Sequence, residues 1–574
     1  MAEPAPSRNA AIYYAADMFD TSRPRLMGRH SAGEGFLRGF VRHSGVDRLY
    51  CHSATETQAR EFAGRAAACG GNVPIVWVPF NHPQGLAEPG CLFYQTVGID
   101  QLAWRRRRLD QRAYSLVGIT HTTASEAVME VIAGLPIAPL QQWDALICTS
   151  RAVRNTVDQL IEAETAYLAD RLGASRFHLP QLPIIPLGVD CDAFVPAPAV
   201  RAAWRRRLGI GDQDIAVLYV GRLSFHAKAN PLPMYRGLQQ ARTAAPLPPG
   251  AALHLIQAGW FSNEAIERVF RDGAAAHCPG VTCHFIDGRD PEVRAGIWQA
   301  ADIFTSLADN LQETFGLSPI EAMAAGLPVV VSDWDGYRDT VRHGIDGFLV
   351  PTVMPPAPYG LDLAERYAMA TDNYDRYVGF SSQFIAVDTA AAAAAYGALI
   401  GNPELRRRMG AAGMAEARAR LDWRVVIGRT QDLWSELADR RCHADEISPR
   451  RDDTIAAITL AHPARPDPFQ AFSSYPTHAL QPGSIVSLAP GASAAQLETR
   501  LASPLAEFAA TVLPELADMA KVVHRLAADG PLTALAVVEA VKPANRASLY
   551  RGLCWMAKMD LLRIAMPAPP NTPI

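Results

Sequence analysis

Short apolar runs alternate with segments of helical periodicity along most of the chain. The runs at 12–16, 73–78, 115–120, 145–149, 217–220, 254–258 and 328–332 are four to six residues long and mostly β-branched or aromatic. Bounded by turns and unbroken by polar alternation, they predict strands buried on both faces. Helical segments between them predict α/β units with parallel sheets. Two such sets occupy about 10–180 and 210–352, joined by the Pro-rich connection LPIIPLGVDCDAFVP at 182–196. Helices resume over 388–440, a Pro-rich stretch follows, and helical patterning returns near 497. The expected organisation is an N-terminal α/β domain at 1–195, a second at 196–440 with its closing helices, a linker at 441–496 and a small, mainly helical module at 497–574. A ligand is expected in the cleft between the two doubly wound domains.

Composition narrows this only a little. A chain of 574 residues holds roughly three to four domains of ~150 residues each. A net charge of −4 gives no whole-molecule attraction to nucleic acid or acidic lipid. There is no run of about 18 apolar residues for a membrane span, and MAEPAPSRNA lacks a signal peptide's apolar stretch. Nine cysteines, an odd number without paired short spacings, argue against a disulfide framework or a zinc site. Cys278 and Cys283 are the nearest pair, and nothing completes a metal set around them. A cytoplasmic protein with no metal and no cofactor is expected.

Residues 301–333 read ADIFTSLADNLQETFGLSPIEAMAAGLPVVVSD: strand, loop, short helix, strand. Ser318 as helix cap, Pro319 at the first helical position and Glu321 three residues after the cap would form a capping box. That is the purely structural reading of Glu321. The longer pattern, Glu313 and Glu321 with TFGLSPI between them and AMAAGLPVV after, resembles the signature of glycosyltransferase family 4. The resemblance implies a retaining enzyme of GT-B architecture, two Rossmann-like domains facing a cleft, acting on a nucleotide-sugar donor. It also implies that Glu313 touches the donor sugar and that Glu321 holds the ribose hydroxyls, a fitting task for a bidentate acceptor. Phe315, Gly316, Leu317 and Gly336 would line the donor. At Asp335-Gly336 relatives commonly carry two glycines, so Asp335 departs from the pattern. Trp334 and Tyr337 belong either to the sugar pocket or to the core.

Other segments add to the resemblance. AVLYVGRLSFHAKANP places Arg222 and Lys228 on a loop leaving a strand, two unpaired cations suited to a diphosphate leaving group. The alternative is a pair of solvated surface cations. Gly28, Gly33 and Gly35 precede a helical stretch and resemble the family's glycine loop; His121, after the strand SLVGIT, resembles its active-site histidine. Asp190 and Asp192 form an Asp-x-Asp, but within a connection that carries no metal role in the family. Arg105–Arg108 is either a solvated helix face or a dock for an anionic membrane surface, apt for lipid-linked acceptors; the acceptor is otherwise a glycan or a small molecule. The C-terminal module is similar to a degenerate winged helix. Asn545, Arg546 and Arg551 are a thin supply of base readers, so a protein partner is favoured over nucleic acid. Two other readings stay open: a non-catalytic scaffold acting through that module, and a two-carboxylate hydrolase.

Overall fold

A computed structural model describes residues 8–19, 28–244, 247–444 and 462–565. Two six-stranded parallel sheets dominate it. The first contains β1 (Ala11–Tyr13), β2 (Leu49–Ser53), β3 (Ile75–Pro79), β4 (Cys91–Tyr94), β5 (Ser115–Ile119) and β6 (Ala145–Ile147), in the order β3-β2-β1-β4-β5-β6. The second contains β7 (Ile215–Val220), β8 (Leu253–Gly259), β9 (Thr282–Asp287), β10 (Ile303–Ser306), β11 (Val329–Ser332) and β12 (Gly347–Val350), in the order β12-β11-β10-β7-β8-β9. The two orders are the same when each sheet is numbered from its first strand. Each sheet reverses its winding once, between β1 and β4 and between β7 and β10, and loops leaving the carboxyl ends there flank a crevice. The inner strands β5, β8, β10 and β11 and the edge strand β6 are buried along their whole length, whereas the edge strands β3 and β9 are not.

Polar residues at the element ends set the helix boundaries. Ser150 and Asn263 each accept a hydrogen bond from the third residue of the helices Arg151–Leu172 and Glu264–His277. Gly173, at φ 67°, closes the first of these in the left-handed conformation.

The chain passes between the two domains twice. The first crossing is the connection at 182–196 and the second ends at Asp422, and the two touch: Val189 N–H donates to Leu421 O at 2.9 Å and Trp423 N–H to Val189 O at 3.1 Å. The helix Trp423–Cys442 then packs on the first domain, against the helix Gly28–His43. A Cβ on Gly39 would lie 2.8 Å from Trp423 Cβ, and one on Gly188 2.5 Å from its Cδ2. The indole therefore occupies space that only glycines leave open. This corrects the expected boundary at 440, because the last closing helix belongs by packing to the first domain.

Between β12 and the closing helices, where the sequence reads as a partly irregular stretch at 352–387, lies an insert with its own secondary structure. It is bounded by β13 (Thr352–Val353) and β14 (Ala386–Val387), which pair antiparallel, and holds the helices Leu361–Ala368 and Tyr374–Ser382.

The described residues from 463 to 565 form a separate compact unit. Its sheet has β15 (Ile485–Leu488) at the centre, antiparallel to β16 (Leu532–Thr533) and β17 (Leu562–Ala565). The helices Leu516–Asp529, Ala534–Val538 and Arg546–Lys558 cover it over a core that includes Val486, Val522 and Met556. Its central strand comes from within the expected linker 441–496, so the unit begins earlier than 497; residues 445–461 of that linker lie outside the described residues. The Asn545 side chain donates to Asp518 at 2.6 Å, which removes one candidate base reader.

Candidate active site

The loops at the carboxyl ends of β7 and β10 bring together the second domain's predicted residues. Lys228 Nζ lies 3.1 Å from Glu313 Oε2. Burial pushes the Glu313 carboxyl up, but the Lys228 ammonium and the N–H groups of Phe315 and Thr314 outweigh it and hold it below the ordinary carboxylate range. Lys228 is therefore not the unpaired cation that the sequence predicts. Arg222 pairs with no carboxylate among the described residues; its Nη2 donates to Gln312 Oε1 at 2.5 Å and to Ala227 O at 3.2 Å. The loop carrying Gln312 and Glu313 is itself pinned. Asn310 Nδ2 donates to His226 O at 2.8 Å, and Trp334 Nε1 donates to Asn310 O at 3.1 Å.

Glu321 departs from the expected capping box. The helix Leu317–Ala324 is capped by Gly316, at φ 84° and with no side-chain cap bond, so Ser318 lies inside its first turn. The left-handed turn at Gly316 starts the helix two residues earlier than a serine cap would. No hydrogen bond reaches the Glu321 carboxylate among the described residues, and burial raises it to about 7. A desolvated carboxylate to which the protein offers no hydrogen-bond donor is costly. The structural reading of Glu321 thus loses its basis, and its acceptor oxygens stay open for a ligand.

Packing explains the glycines around it. A Cβ on Gly316 would sit 1.9 Å from Tyr337 Cε1, and one on Gly336 2.4 Å from Phe315 Cα. Tyr337 is a core residue, buried and bonded through its hydroxyl to Ser306 Oγ at 2.8 Å. Phe315 is buried and Leu317 partly so. Asp335 takes φ 42°, the left-handed backbone that a glycine would supply and that Asp tolerates better than most residues. Its Oδ1 accepts from Ser150 Oγ of the first domain at 3.1 Å, and burial, with Glu313 nearby, raises its carboxyl to about 7.

The first domain meets this site at two further points. His121 O accepts the Thr314 hydroxyl at 3.1 Å, which sets His121 beside the Glu313 loop. Asp339 receives both Arg151 N–H and Arg151 Nε at 2.6 Å, at the start of the helix Arg151–Leu172. Gly33 is not on a loop as the sequence reading has it. The helix already begins at Gly28, and a Cβ on Gly33 would meet Met18 O at 2.4 Å and Gln95 Oε1 at 2.8 Å. Gly33 thus serves close packing at the switch point between β1 and β4; residues 20–27 before it lie outside the described residues.

Two sequence features turn out to be structural. Arg106 is fully buried and forked onto Asp144, with Nη1 to Oδ1 and Nη2 to Oδ2 both at 2.6 Å. The arginine run is therefore not one solvated face: only Arg105 and Arg108 are exposed, and Arg107 lies over the Trp104 ring. Asp190 and Asp192 pair separately with Arg42 and Arg424 and do not converge. No group of three or more potential metal ligands occurs among the described residues. No helix among them is long and apolar enough to cross a membrane.

The family described as "Glycosyl transferases group 1" matches residues 200–356, which contain Arg222, Lys228, Glu313 and Glu321. The D-inositol 3-phosphate glycosyltransferase of Geodermatophilus obscurus is 29% identical over 255 residues, covering 44% of this chain and 53% of the relative. The protein of the same name from Nocardia farcinica is 29% identical over 259 residues, 44% of this chain and 52% of the relative. The chain thus spans about half the length of the curated relatives it matches. Among solved structures, HepE of Anabaena in complex with UDP and glucose is similar at 16% identity and a TM-score of 0.46, over 74% of this chain and 100% of that one. Through residues 200–356, this chain is similar to the group 1 glycosyl transferases.

Proposed function

We propose that the protein transfers a sugar from a nucleoside-diphosphate donor to an acceptor hydroxyl, with retention at the anomeric carbon. The observation that carries this reading is the Lys228–Glu313 pair on the loops leaving β7 and β10, followed in the next helix by Glu321, whose carboxylate accepts no hydrogen bond among the described residues. Breaking the donor's anomeric C–O bond leaves negative charge on the diphosphate. Arg222 and Lys228 stabilise that charge, and preorganised cations do so without reorganisation during the reaction. Glu313 releases Lys228 to the phosphate and accepts from sugar hydroxyls, with His121 on the facing side. Glu321 accepts from the ribose diol. No enzymic nucleophile is assigned, so the leaving phosphate oxygen takes the acceptor hydroxyl's proton on the same face of the sugar as the departing bond. No metal is assigned to these steps, and no cofactor beyond the donor itself. The protein acts in the cytoplasm, and exposed Arg105 and Arg108 are the side chains of the run left to meet an anionic lipid surface.

The test is turnover with UDP-, GDP- and ADP-sugars, with and without chelator, for the wild type and Glu313→Ala. Nucleotide-sugar-dependent transfer that survives chelator and falls by about 10²–10³ in Glu313→Ala is expected. Unchanged turnover in Glu313→Ala would remove this residue from the reaction.

A further inference from the structure

The insert between β13 and β14 reaches into the diphosphate clamp. Its helix Tyr374–Ser382 packs directly on the loop that carries Lys228: a Cβ on Gly379 would meet His226 Cβ at 3.1 Å, and Asn310 Nδ2 reaches Val378 O at 3.5 Å. From the first residue of that helix, the Tyr374 hydroxyl lies 2.9 Å from Gln312 Nε2, and Gln312 Oε1 receives Arg222 Nη2. The amide has one consistent orientation here. A guanidinium only donates, so the Gln312 oxygen must face Arg222 and the NH₂ must face the tyrosine. The insert is also held from the other side: Tyr367 Oη accepts Glu126 N–H of the first domain at 2.8 Å, and the Tyr367 ring stacks on Tyr377 with centroids 4.4 Å apart.

We infer that Tyr374 and Gln312 are positioning residues for Arg222, a hydrogen-bonded relay by which the insert aims the guanidinium at the donor diphosphate. The inference rests on the donor reading proposed above. Without a carboxylate partner, Arg222 keeps its full charge for a ligand, and a neutral amide fixes its direction without competing for that charge. A long, flexible side chain held in its bound rotamer loses less entropy on binding. Gln312 bonds Arg222 directly and Tyr374 bonds Gln312, so the effect should weaken along that order.

The experiment is calorimetric titration of the full chain with UDP, GDP and ADP and with the three matching nucleosides. Gln312→Leu should raise the Kd of the bound diphosphate about tenfold, the worth of one hydrogen bond to a charged group. Tyr374→Phe should raise it a few-fold, and nucleoside affinity should stay at the wild-type value in both variants. In an Arg222→Ala background, where Lys228 keeps binding measurable, neither substitution should add a further effect. Equal weakening of nucleoside and diphosphate would mark a general loosening and overturn the relay. So would a wild-type diphosphate Kd in Gln312→Leu, or a loss that persists without Arg222. Should the wild type bind none of the three diphosphates, the donor reading falls first and the relay falls with it; wild-type binding with silent variants removes the relay alone.

Discussion

Replacing Glu321 by glutamine should make the protein more stable and less able to bind its donor, with the gain appearing only at high pH. Burial raises this carboxyl from the ordinary 4.5 to about 7, with no donor nearby to offset it. A folded value above the unfolded one means that ionisation costs stability as pH rises, from about 4.5 upward, with the full cost present above about 7. At about 1.4 kcal/mol per pH decade, that full cost is about 3 kcal/mol at pH 8.5 and under about 1 kcal/mol at pH 5. Glutamine keeps the shape without the charge, so Glu321→Gln should gain up to about 3 kcal/mol at pH 8.5 and little at pH 5. For a domain of this size the gain corresponds to a rise of about 6–12 °C in Tm at the higher pH. Two scanning-calorimetry runs per variant, at pH 5 and 8.5, measure it. Donor binding should move the other way, weakening about 10- to 100-fold as charged acceptors for the ribose hydroxyls are lost. A Glu321→Gln protein destabilised equally at both pH values would show a carboxylate satisfied by the fold and refute the reasoning.

Other substitutions probe the surrounding frame. Gly316→Ala should abolish diphosphate binding and lower Tm, since a Cβ there would overlap the Tyr337 ring; near-wild-type titration would contradict that. Asp335→Gly should relieve a left-handed backbone worth about 1 kcal/mol while losing the Ser150 bond, leaving Tm almost unchanged, whereas Asp335→Ala should lower it. Asp144→Ala should cost about 3–5 kcal/mol by stranding the buried Arg106, visible as a large drop in denaturation midpoint. Sedimentation with vesicles containing anionic lipid should lose about thirtyfold in binding when Arg105 and Arg108 both become glutamine, at about 1 kcal/mol per arginine; equal sedimentation of both proteins would exclude this face.

Both sheets could be read from the sequence because buried strands need unbroken apolar runs, and all seven runs fall on or against strands; the run on the edge strand β3 lacks the burial it predicts. The acidic loop could be read because its residues are contiguous. The capping register at Ser318 could not, because an eight-residue helix carries too little periodicity to fix its start, and Gly316 takes the cap through its backbone. Arg106 looked like its exposed neighbours since a run of four arginines hides which one turns inward; its partner Asp144 lies 38 residues away. The strand Ile485–Leu488 was lost among prolines. Gln312 and Tyr374 carry no motif. Their meaning comes from a meeting of two segments 62 residues apart, which no spacing rule encodes.

The paired crossings at Val189 and Leu421–Trp423 have a mechanical consequence. Two connections hydrogen-bonded to each other form a single short attachment, so any opening of the cleft is a rotation about that line. Trp423, wedged among Gly39 and Gly188, anchors that axis to the first domain. Elsewhere the halves meet at Glu126–Tyr367, Ser150–Asp335 and Arg151–Asp339, contacts that must break for the cleft to open, so they act as latches. Substitutions at the axis should therefore change how fast the cleft opens, whereas those at the latches should change how much of the time it stays shut.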